Sequence, residues 1–265
     1  MAIIKTEKLT KAFGRLVAVN ELSLEVEPGE VFGLLGPNGA GKTTAIRMLI
    51  TLLRPTAGKA WVGGLDVRKS PLAVRRLIGY VPQAVSADSD LSGYENLLIF
   101  AKLYDVPRSQ REKRIAEILE FMGLTGFAHS LVRTYSGGMI RRLEIAEAFI
   151  SLPQVLFLDE PTLGLDPVAR RGVWELIQKA RTEFGMTIFF TTHYMEEADG
   201  ECSRLAIMDS GRLTAIGTPQ ELKEGTGNPK ATLDEVFSFY TGSALDAGAS
   251  YRETRQLRRA VRRYG

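Results

Sequence analysis

Short apolar runs alternate with amphipathic segments along most of the chain. The strand-length runs cover residues 31–35, 78–82, 155–159, 186–191 and 204–208. Continuous apolar runs of this length are typical of strands that are buried on both faces of a parallel sheet. Because segments with helical spacing separate most of these runs, the pattern predicts an α/β fold with a mainly parallel sheet and flanking helices.

Two regions depart from this alternation. Residues 3–36 combine short β-rich runs with turn signals, which indicates an N-terminal antiparallel β subdomain. Residues 84–150 show helical spacing instead, and Ser92 and Glu95 match a helix-capping box. We therefore expect an α-helical subdomain, about 84–150, inserted between two core strands.

The C-terminal part of the chain contains one more helix signal and a basic tail. Thr232 and Glu235 repeat the capping pattern ahead of an apolar helical face. The tail 251–265 carries six arginines. It is interpreted either as a solvated tail or as a contact for anionic lipid or a membrane subunit. The expected domains are a main domain over 1–225, a helical extension over 226–242, and a linker with the basic tail over 243–265.

The composition and charge of the chain exclude several classes of protein. Hydrophobic residues make up 45% and charged residues 25%, an ordinary globular balance. No apolar stretch approaches the roughly 18 residues of a membrane helix, and the first residues do not resemble a signal peptide. Cys202 is the only cysteine, which excludes an internal disulfide. A net charge of +3 is too small to indicate nucleic acid by itself. We therefore expect a cytosolic chain, for which any membrane role must come through a partner.

A glycine-rich run lies between the predicted strand 31–35 and a predicted helix over 42–53. Glycines allow backbone N–H groups to converge on phosphate oxygens, and the helix N-terminus adds a favourable dipole. Lysine and threonine at its end are suited to the β- and γ-phosphates and to Mg²⁺, respectively. A chance glycine-rich turn is the alternative, which the flanking elements disfavour. The residues of this predicted phosphate loop are Gly36, Pro37, Asn38, Gly39, Ala40, Gly41, Lys42, Thr43 and Thr44.

Two carboxylates follow the apolar run 155–158. Asp159 is a candidate Mg²⁺ ligand, and Glu160 is a candidate general base that polarises the attacking water. An exposed acidic strand end is the alternative, but the preceding apolar residues and the following Pro161 disfavour it.

A second candidate anion site precedes another predicted helix, which begins near Ile140. It consists of Ser136, Gly137 and Gly138, residue types that occur where backbone N–H groups of a helix N-terminus bind an anion. An ordinary helix N-cap is the alternative. One chain with two phosphate-binding helix ends suggests that two chains share each nucleotide.

The order of these motifs resembles that of ABC ATPases over residues 1 to about 225. The resemblance implies a P-loop NTPase core and adds four site residues to those above. Phe13 would stack on adenine, and Gln83 would sense Mg²⁺ and the transmembrane partner. Asp166 would communicate across a dimer, and His193 would contact the γ-phosphate. Without the other motifs, these residues would be interpreted as a core aromatic, two polar turn residues and a structural histidine.

Two substitutions narrow the resemblance to a subgroup. Met139 stands where most family members have glutamine, and Tyr135 stands where they have leucine. This variant, together with residues 232–237, is similar to the daunorubicin-resistance-type export ATPases. The phosphate contacts implied here come mainly from Ser136 and the glycine backbone, so we expect hydrolysis to be retained.

The resemblance implies an enzyme that hydrolyses ATP with Mg²⁺ to power a membrane exporter of drugs, antibiotics or other hydrophobic compounds. Its partners would be a second ATPase subunit, either a copy or a paralogue, which shares two ATP sites, and an integral membrane permease. The chain would lie at the cytoplasmic face of the membrane, and no nucleic acid is expected. The alternatives are a soluble ATPase acting on nucleic acid or ribosomes and an importer ATPase. A GTPase is disfavoured because the chain lacks an Asn-Lys-x-Asp motif.

Overall fold

The computed structural model describes residues 1–242, so the predicted linker and basic tail lie outside the described residues. Within that range the strands are β1 (Ile4–Phe13), β2 (Leu16–Val26), β3 (Val31–Leu35), β4 (Ala57–Val62), β5 (Leu65–Asp66), β6 (Ile78–Val81), β7 (Val155–Asp159), β8 (Thr187–Thr192), β9 (Arg204–Asp209) and β10 (Arg212–Gly217). The α-helices of the same range are α1 (Lys42–Leu49), α2 (Pro71–Leu77), α3 (Gly93–Leu103), α4 (Arg108–Phe121), α5 (Gly137–Phe149), α6 (Pro167–Phe184), α7 (Met195–Glu201), α8 (Pro219–Gly225) and α9 (Leu233–Thr241).

The described chain divides into two compact units. The first unit contains residues 1–74 and 189–242, and the second contains residues 75–188. The first unit contains an antiparallel sheet with the strand order β2-β1-β4-β5. Ile4 of β1 stands opposite Val26 of β2 and Val62 of β4, and all three side chains are buried. This sheet confirms the predicted N-terminal antiparallel subdomain.

The first unit also contains a parallel strand pair. β3 is buried at all five positions and pairs in parallel with β9, with Gly33 opposite Leu205. β10 pairs antiparallel with β9. One apolar cluster joins these strands to α7, α8 and α9, so the helical extension packs into the core of this unit. The predicted capping box at Thr232 and Glu235 is confirmed at the start of α9.

The second unit combines a parallel strand pair with helices inserted between its strands. β6 pairs in parallel with β7, with Ile78 opposite Val155 and Val81 opposite Leu158. Helices α3, α4 and α5 lie between these strands in the chain and pack against one another, and α5 also packs against β6. The capping box at Ser92 and Glu95 forms in both directions. The mixed α/β prediction with an inserted helical subdomain is confirmed.

Helix boundaries were predicted less well than strands. The runs 31–35 and 155–159 are strands with those bounds, whereas α1 ends at Leu49 instead of residue 53. Thr51 has a left-handed backbone with φ 67°, which ends the helix although apolar residues continue. Helix α5 begins at Gly137 rather than near Ile140, because Ser136 caps it.

Candidate functional site

The glycine-rich loop between β3 and α1 brings its backbone close to neighbouring backbone in the first unit. A Cβ atom at Gly36 would overlap the carbonyl oxygen of Met208, and one at Gly41 would overlap that of Ala18. Gly41 also has φ 100°, a conformation that favours glycine. The loop therefore requires glycine at both positions and leads directly into the N-terminus of α1, where backbone N–H groups favour an anion.

Lys42 places a buried positive charge inside this loop. Its Nζ donates to the carbonyl oxygens of Gly36 at 2.6 Å and Pro37 at 3.1 Å, and the residue is 5% exposed. Thr43 follows in the first turn of α1. An ammonium group, a helix N-terminus and a glycine backbone in one loop form a set of donors that fits the phosphates of a nucleotide.

The turn after β8 connects to the same loop within the first unit. The carbonyl oxygen of Thr192 accepts from the backbone N–H of Gly36 at 3.3 Å. The Thr192 hydroxyl donates to Glu197 at 2.8 Å and accepts from the N–H of Tyr194 at 2.9 Å. His193 lies inside this turn, with its ring 4.2 Å from that of Tyr194. The structure thus places His193 next to Thr192, which is hydrogen-bonded to Gly36 at the start of the loop. Glu197, which the sequence did not indicate, fixes the Thr192 hydroxyl in this turn.

Phe13 lies at the end of β1. Its side chain is 8% exposed, and Lys11 Nζ lies 4.9 Å from the ring centroid. Both a base-stacking position and a core aromatic are compatible with this environment, so its stacking role stays a prediction.

The structure brings Gln83 and Glu160 together in the second unit. Gln83 follows β6 and Glu160 follows β7, and the carboxyl ends of parallel neighbours lie at the same edge of a sheet. Gln83 Nε2 donates to Glu160 Oε2 at 3.3 Å. Glu160 is 6% exposed and has a left-handed backbone with φ 50°, which costs a non-glycine residue about 1–3 kcal/mol. Adjacent Asp159 is buried, so two carboxylates stand at this strand end.

The Ser-Gly-Gly segment forms the start of α5. Ser136 accepts from the N–H of Met139 at 3.3 Å as the helix N-cap, and both Ser136 and Gly137 are exposed. A Cβ atom at Gly138 would lie 3.1 Å from that of Ala169, so this position has little room for a side chain. The geometry combines the N-cap interpretation with an accessible helix N-terminus that can receive an anion.

Asp166 caps helix α6, which follows β7 in the second unit. One carboxylate oxygen accepts from the N–H groups of Val168 and Ala169, each at 2.9 Å, and Pro167 occupies the first position of α6. A helix cap accounts for these contacts, and the predicted role of Asp166 across a dimer stays a prediction.

Two charged residues of α5 were missed as site residues. Arg141 and Glu144 are 5% and 2% exposed and form an ion pair at 3.0 Å. Burial lowers the pKa of Arg141, while the charges of Glu144 and Asp159 oppose that shift. Their sequence signal was a run of charged residues in a mainly apolar segment after Ser136.

Comparison with known proteins identifies the family. A model of the ABC transporter family matches residues 19–163. The chain is 46% identical over 225 residues to a daunorubicin/doxorubicin resistance ATP-binding protein of Streptomyces peucetius. The matched region covers 85% of this chain and 68% of that protein. It is 45% identical over 221 residues to a Nod factor export ATP-binding protein of Cupriavidus metallidurans, with coverage of 83% and 73%. The chain belongs to the ABC transporter family.

A solved ATP-binding subunit of an ABC transporter has the same fold. It superposes with a TM-score of 0.81 at 28% identity and covers 90% of this chain and 99% of that one. The resemblance to ABC ATPases and to the daunorubicin-resistance type is therefore confirmed. The chain is an ATP-binding and ATP-hydrolysing subunit that powers a membrane transporter, and such ABC subunits work with a membrane permease.

The tyrosine that replaces leucine in this ABC subunit is accommodated by one hydrogen bond. Tyr135 is buried, and its hydroxyl donates to the carbonyl oxygen of Phe127 at 2.7 Å. Burial raises the pKa of this hydroxyl, so it stays a donor over the ordinary pH range. The substitution therefore adds a polar contact before Ser136 without leaving a polar atom unsatisfied.

The side chains predicted to bind Mg²⁺ in this ABC subunit are compatible with the ion by donor type. Among residues 1–242, no cluster of three His, Cys, Asp or Glu side chains forms a protein-only metal centre. The predicted ligands Thr43, Gln83 and Asp159 carry hard oxygen donors, which Mg²⁺ prefers, and Mg²⁺ usually completes its shell with phosphates and water.

Among residues 1–242, no helix is long and apolar enough to cross a membrane.

Glu147 is a buried carboxyl that ties stability to pH. It is 1% exposed, and within the described part of the chain its Oε1 has no hydrogen-bond partner. Burial, with a smaller contribution from Glu144, raises the pKa of Glu147 from 4.5 to about 8. Between these values the folded chain holds a proton that the unfolded chain releases, so the contribution of Glu147 to stability falls as pH rises from about 4.5 to about 8.

Glu147→Gln is expected to remove this pH dependence. Relative to the parent chain, the variant should gain about 1.4 kcal/mol of unfolding free energy per pH unit up to about pH 8, where the gain levels off. Urea unfolding at several pH values measures this difference. The matched control is Glu112→Gln on the exposed face of α4. A constant difference between Glu147→Gln and the parent at all pH values would contradict the prediction.

Proposed function

We propose that this ABC subunit hydrolyses ATP with Glu160 as general base and so powers an exporter. The observation that carries the assignment is the buried Glu160 carboxylate at the end of β7, 3.3 Å from the Gln83 amide. A general base must be fixed within reach of the water that it polarises. The contact with Gln83 and the constrained backbone of Glu160 both limit the positions that the carboxylate can adopt.

The phosphates of ATP would be held by the loop 36–44. Backbone N–H groups of this loop and the ammonium of Lys42 would donate to the β- and γ-phosphate oxygens, and His193 would contact the γ-phosphate. Support comes from the buried ammonium and from the bond between Thr192 and Gly36, which ties the His193 turn to the loop. Phe13 would stack on adenine.

Mg²⁺ would be held by Thr43, Gln83 and Asp159 together with phosphate oxygens. When bound, the metal neutralises part of the charge on the transferred phosphoryl group. The position of Asp159 at the carboxyl end of β7 supports this assignment, since ligands of open α/β sheets bind at the carboxyl ends of the strands.

Two ATPase subunits would share each nucleotide. We propose that Ser136, Gly137 and Gly138 of one subunit complete the ATP site of a second subunit, a copy or a paralogue, while Asp166 communicates between them. The exposed Ser136 and Gly137 at the N-terminus of α5 support this proposal. The ATPase function would reside in residues 1–225, with the extension 226–242 and the segment 243–265 as additions.

The cargo would be a hydrophobic drug or antibiotic, exported from the cytoplasmic face of the membrane through a permease. The names of the relatives refer to resistance to daunorubicin and doxorubicin and to export of Nod factor. Neither supports an importer or an ATPase that acts on nucleic acid or ribosomes.

Transport in membrane vesicles tests the direction and the cargo. We expect inside-out vesicles with this chain and its co-purifying permease to take up doxorubicin when Mg-ATP is added outside. Doxorubicin fluorescence measures uptake, and vesicles with the permease and Glu160→Gln provide the control. ATP-independent uptake, or uptake that is unchanged in the Glu160→Gln vesicles, would contradict the proposal.

A further inference from the structure

A buried ion pair on α5 contacts the segment that carries Gln83. Arg141 and Glu144 lie 3.0 Å apart, with side-chain exposures of 6% and 1%. Removing two charges from water is costly, and their mutual attraction compensates only if further hydrogen bonds satisfy the remaining donors and acceptors. The partners of those remaining atoms therefore indicate what the pair does.

The remaining atoms of the pair bind backbone on both sides of Gln83. Arg141 Nη1 donates to the carbonyl oxygen of Pro82 at 2.9 Å, and Nη2 donates to that of Gln83 at 3.4 Å. Glu144 Oε1 accepts from the backbone N–H of Ser86 at 2.5 Å and from its hydroxyl at 3.1 Å. The ion pair thus holds the segment 82–86 at both ends.

This segment follows β6, and residues 83–86 are exposed to solvent. Exposed segments have few packing contacts to restrict their backbone. Gln83 nevertheless holds its amide 3.3 Å from the Glu160 carboxylate. The contacts from α5 supply the restraint on the backbone from which that amide extends.

We propose that Arg141 and Glu144 are positioning residues for hydrolysis, which hold the Gln83 amide against Glu160 and tie its position to the helix that begins at Ser136. This inference rests on the proposed roles of Gln83 and Glu160. Since one rigid helix carries both Ser136 and the ion pair, a displacement of α5 is transmitted to Gln83. Neither side chain of the pair needs to touch the nucleotide.

Arg141→Lys tests the proposal while keeping the charge. A lysine ammonium does not reproduce the planar fork that reaches two carbonyl oxygens and a carboxylate. We expect kcat to fall about 10- to 100-fold, the loss typical of residues that orient a reactive group, with little change in KM for ATP. The matched control is Arg114→Lys, because Arg114 also donates to a carbonyl oxygen, that of Ile150, but does not contact the segment 82–86. Its kcat should match that of the parent.

A double-mutant cycle separates positioning from general stabilisation. In a Gln83→Ala background, Arg141→Lys should cause little further loss, because the amide that it positions is absent. Ser86→Ala, at an exposed position, gives a second test: loss of the hydroxyl's hydrogen bond to the Glu144 carboxylate, while the backbone N–H bond remains, should lower kcat about tenfold in the parent and leave it unchanged in Gln83→Ala. Thermal unfolding and nucleotide binding confirm that each variant is folded.

The outcomes distinguish the positioning role from the proposed function. A loss confined to the parent background supports positioning. Equal losses in both backgrounds, or full kcat in Arg141→Lys and Ser86→Ala while Gln83→Ala is slow, overturn the positioning role alone. If Gln83→Ala hydrolyses ATP at the parent rate, the proposed role of Gln83 is wrong and the positioning proposal is overturned with it.

Discussion

Glu160→Gln is expected to lower kcat for ATP hydrolysis by about 10²–10⁴-fold while leaving ATP affinity nearly unchanged. The amide has the shape of the carboxylate, and its oxygen can still accept from Gln83 Nε2. It has no basicity with which to take a proton from water. Phosphate release under single-turnover conditions measures the chemical step, and equilibrium binding of a fluorescent ATP analogue measures affinity.

The same variant reports on the shared site. If ATP joins two subunits and hydrolysis separates them, Glu160→Gln with Mg-ATP should accumulate as a dimer, which light scattering detects. Adding Ser136→Arg should abolish this dimer, because a large side chain would fill the exposed helix end. The control is Glu175→Gln, an exposed glutamate of α6 in the same unit. Turnover at the parent rate in Glu160→Gln would place the base elsewhere, and a dimer that is unaffected by Ser136→Arg would exclude a shared site.

Lys42→Ala is expected to reduce both binding and turnover. The buried ammonium would be lost from a loop that presents it to phosphate oxygens. Loss of one charged hydrogen-bond donor weakens ATP binding about 10- to 100-fold, and loss of a donor to the developing charge lowers kcat by about 10²–10³-fold. Isothermal titration with ATP and steady-state phosphate release measure the two effects separately.

The control for this loss is Lys59→Ala, which removes an exposed lysine from β4 of the same unit. Lys42 Nζ also bonds two carbonyl oxygens of the loop, so the far-ultraviolet circular dichroism and the unfolding midpoint of the variant must be compared with those of the parent. A folded Lys42→Ala chain with near-normal hydrolysis would contradict the assignment of the phosphate loop.

Local signals determined much of the fold. The apolar runs of β3 and β7 have the predicted bounds, because a strand that is buried at every position needs an unbroken apolar run. The capping boxes at Ser92 and Thr232 also formed as predicted, since their hydrogen bonds join residues only three positions apart. The glycine-rich loop and the paired carboxylates after β7 were recognisable as candidate chemistry for the same reason: their residues are adjacent in the chain.

Contacts between distant segments were decided only by the tertiary structure. Arg141 and Glu144 meet residues 82–86 across a separation of 58 residues, so no local pattern could indicate that this pair holds the Gln83 segment. The hydrogen bond between Thr192 and Gly36 and the close approach of Gly36 to Met208 also require the folded chain. Sequence alone therefore indicated which residues are candidates for the chemistry, because motif residue types and spacing are local. Folding decided which side chains restrain them, because those contacts arise when separate strands and helices pack together.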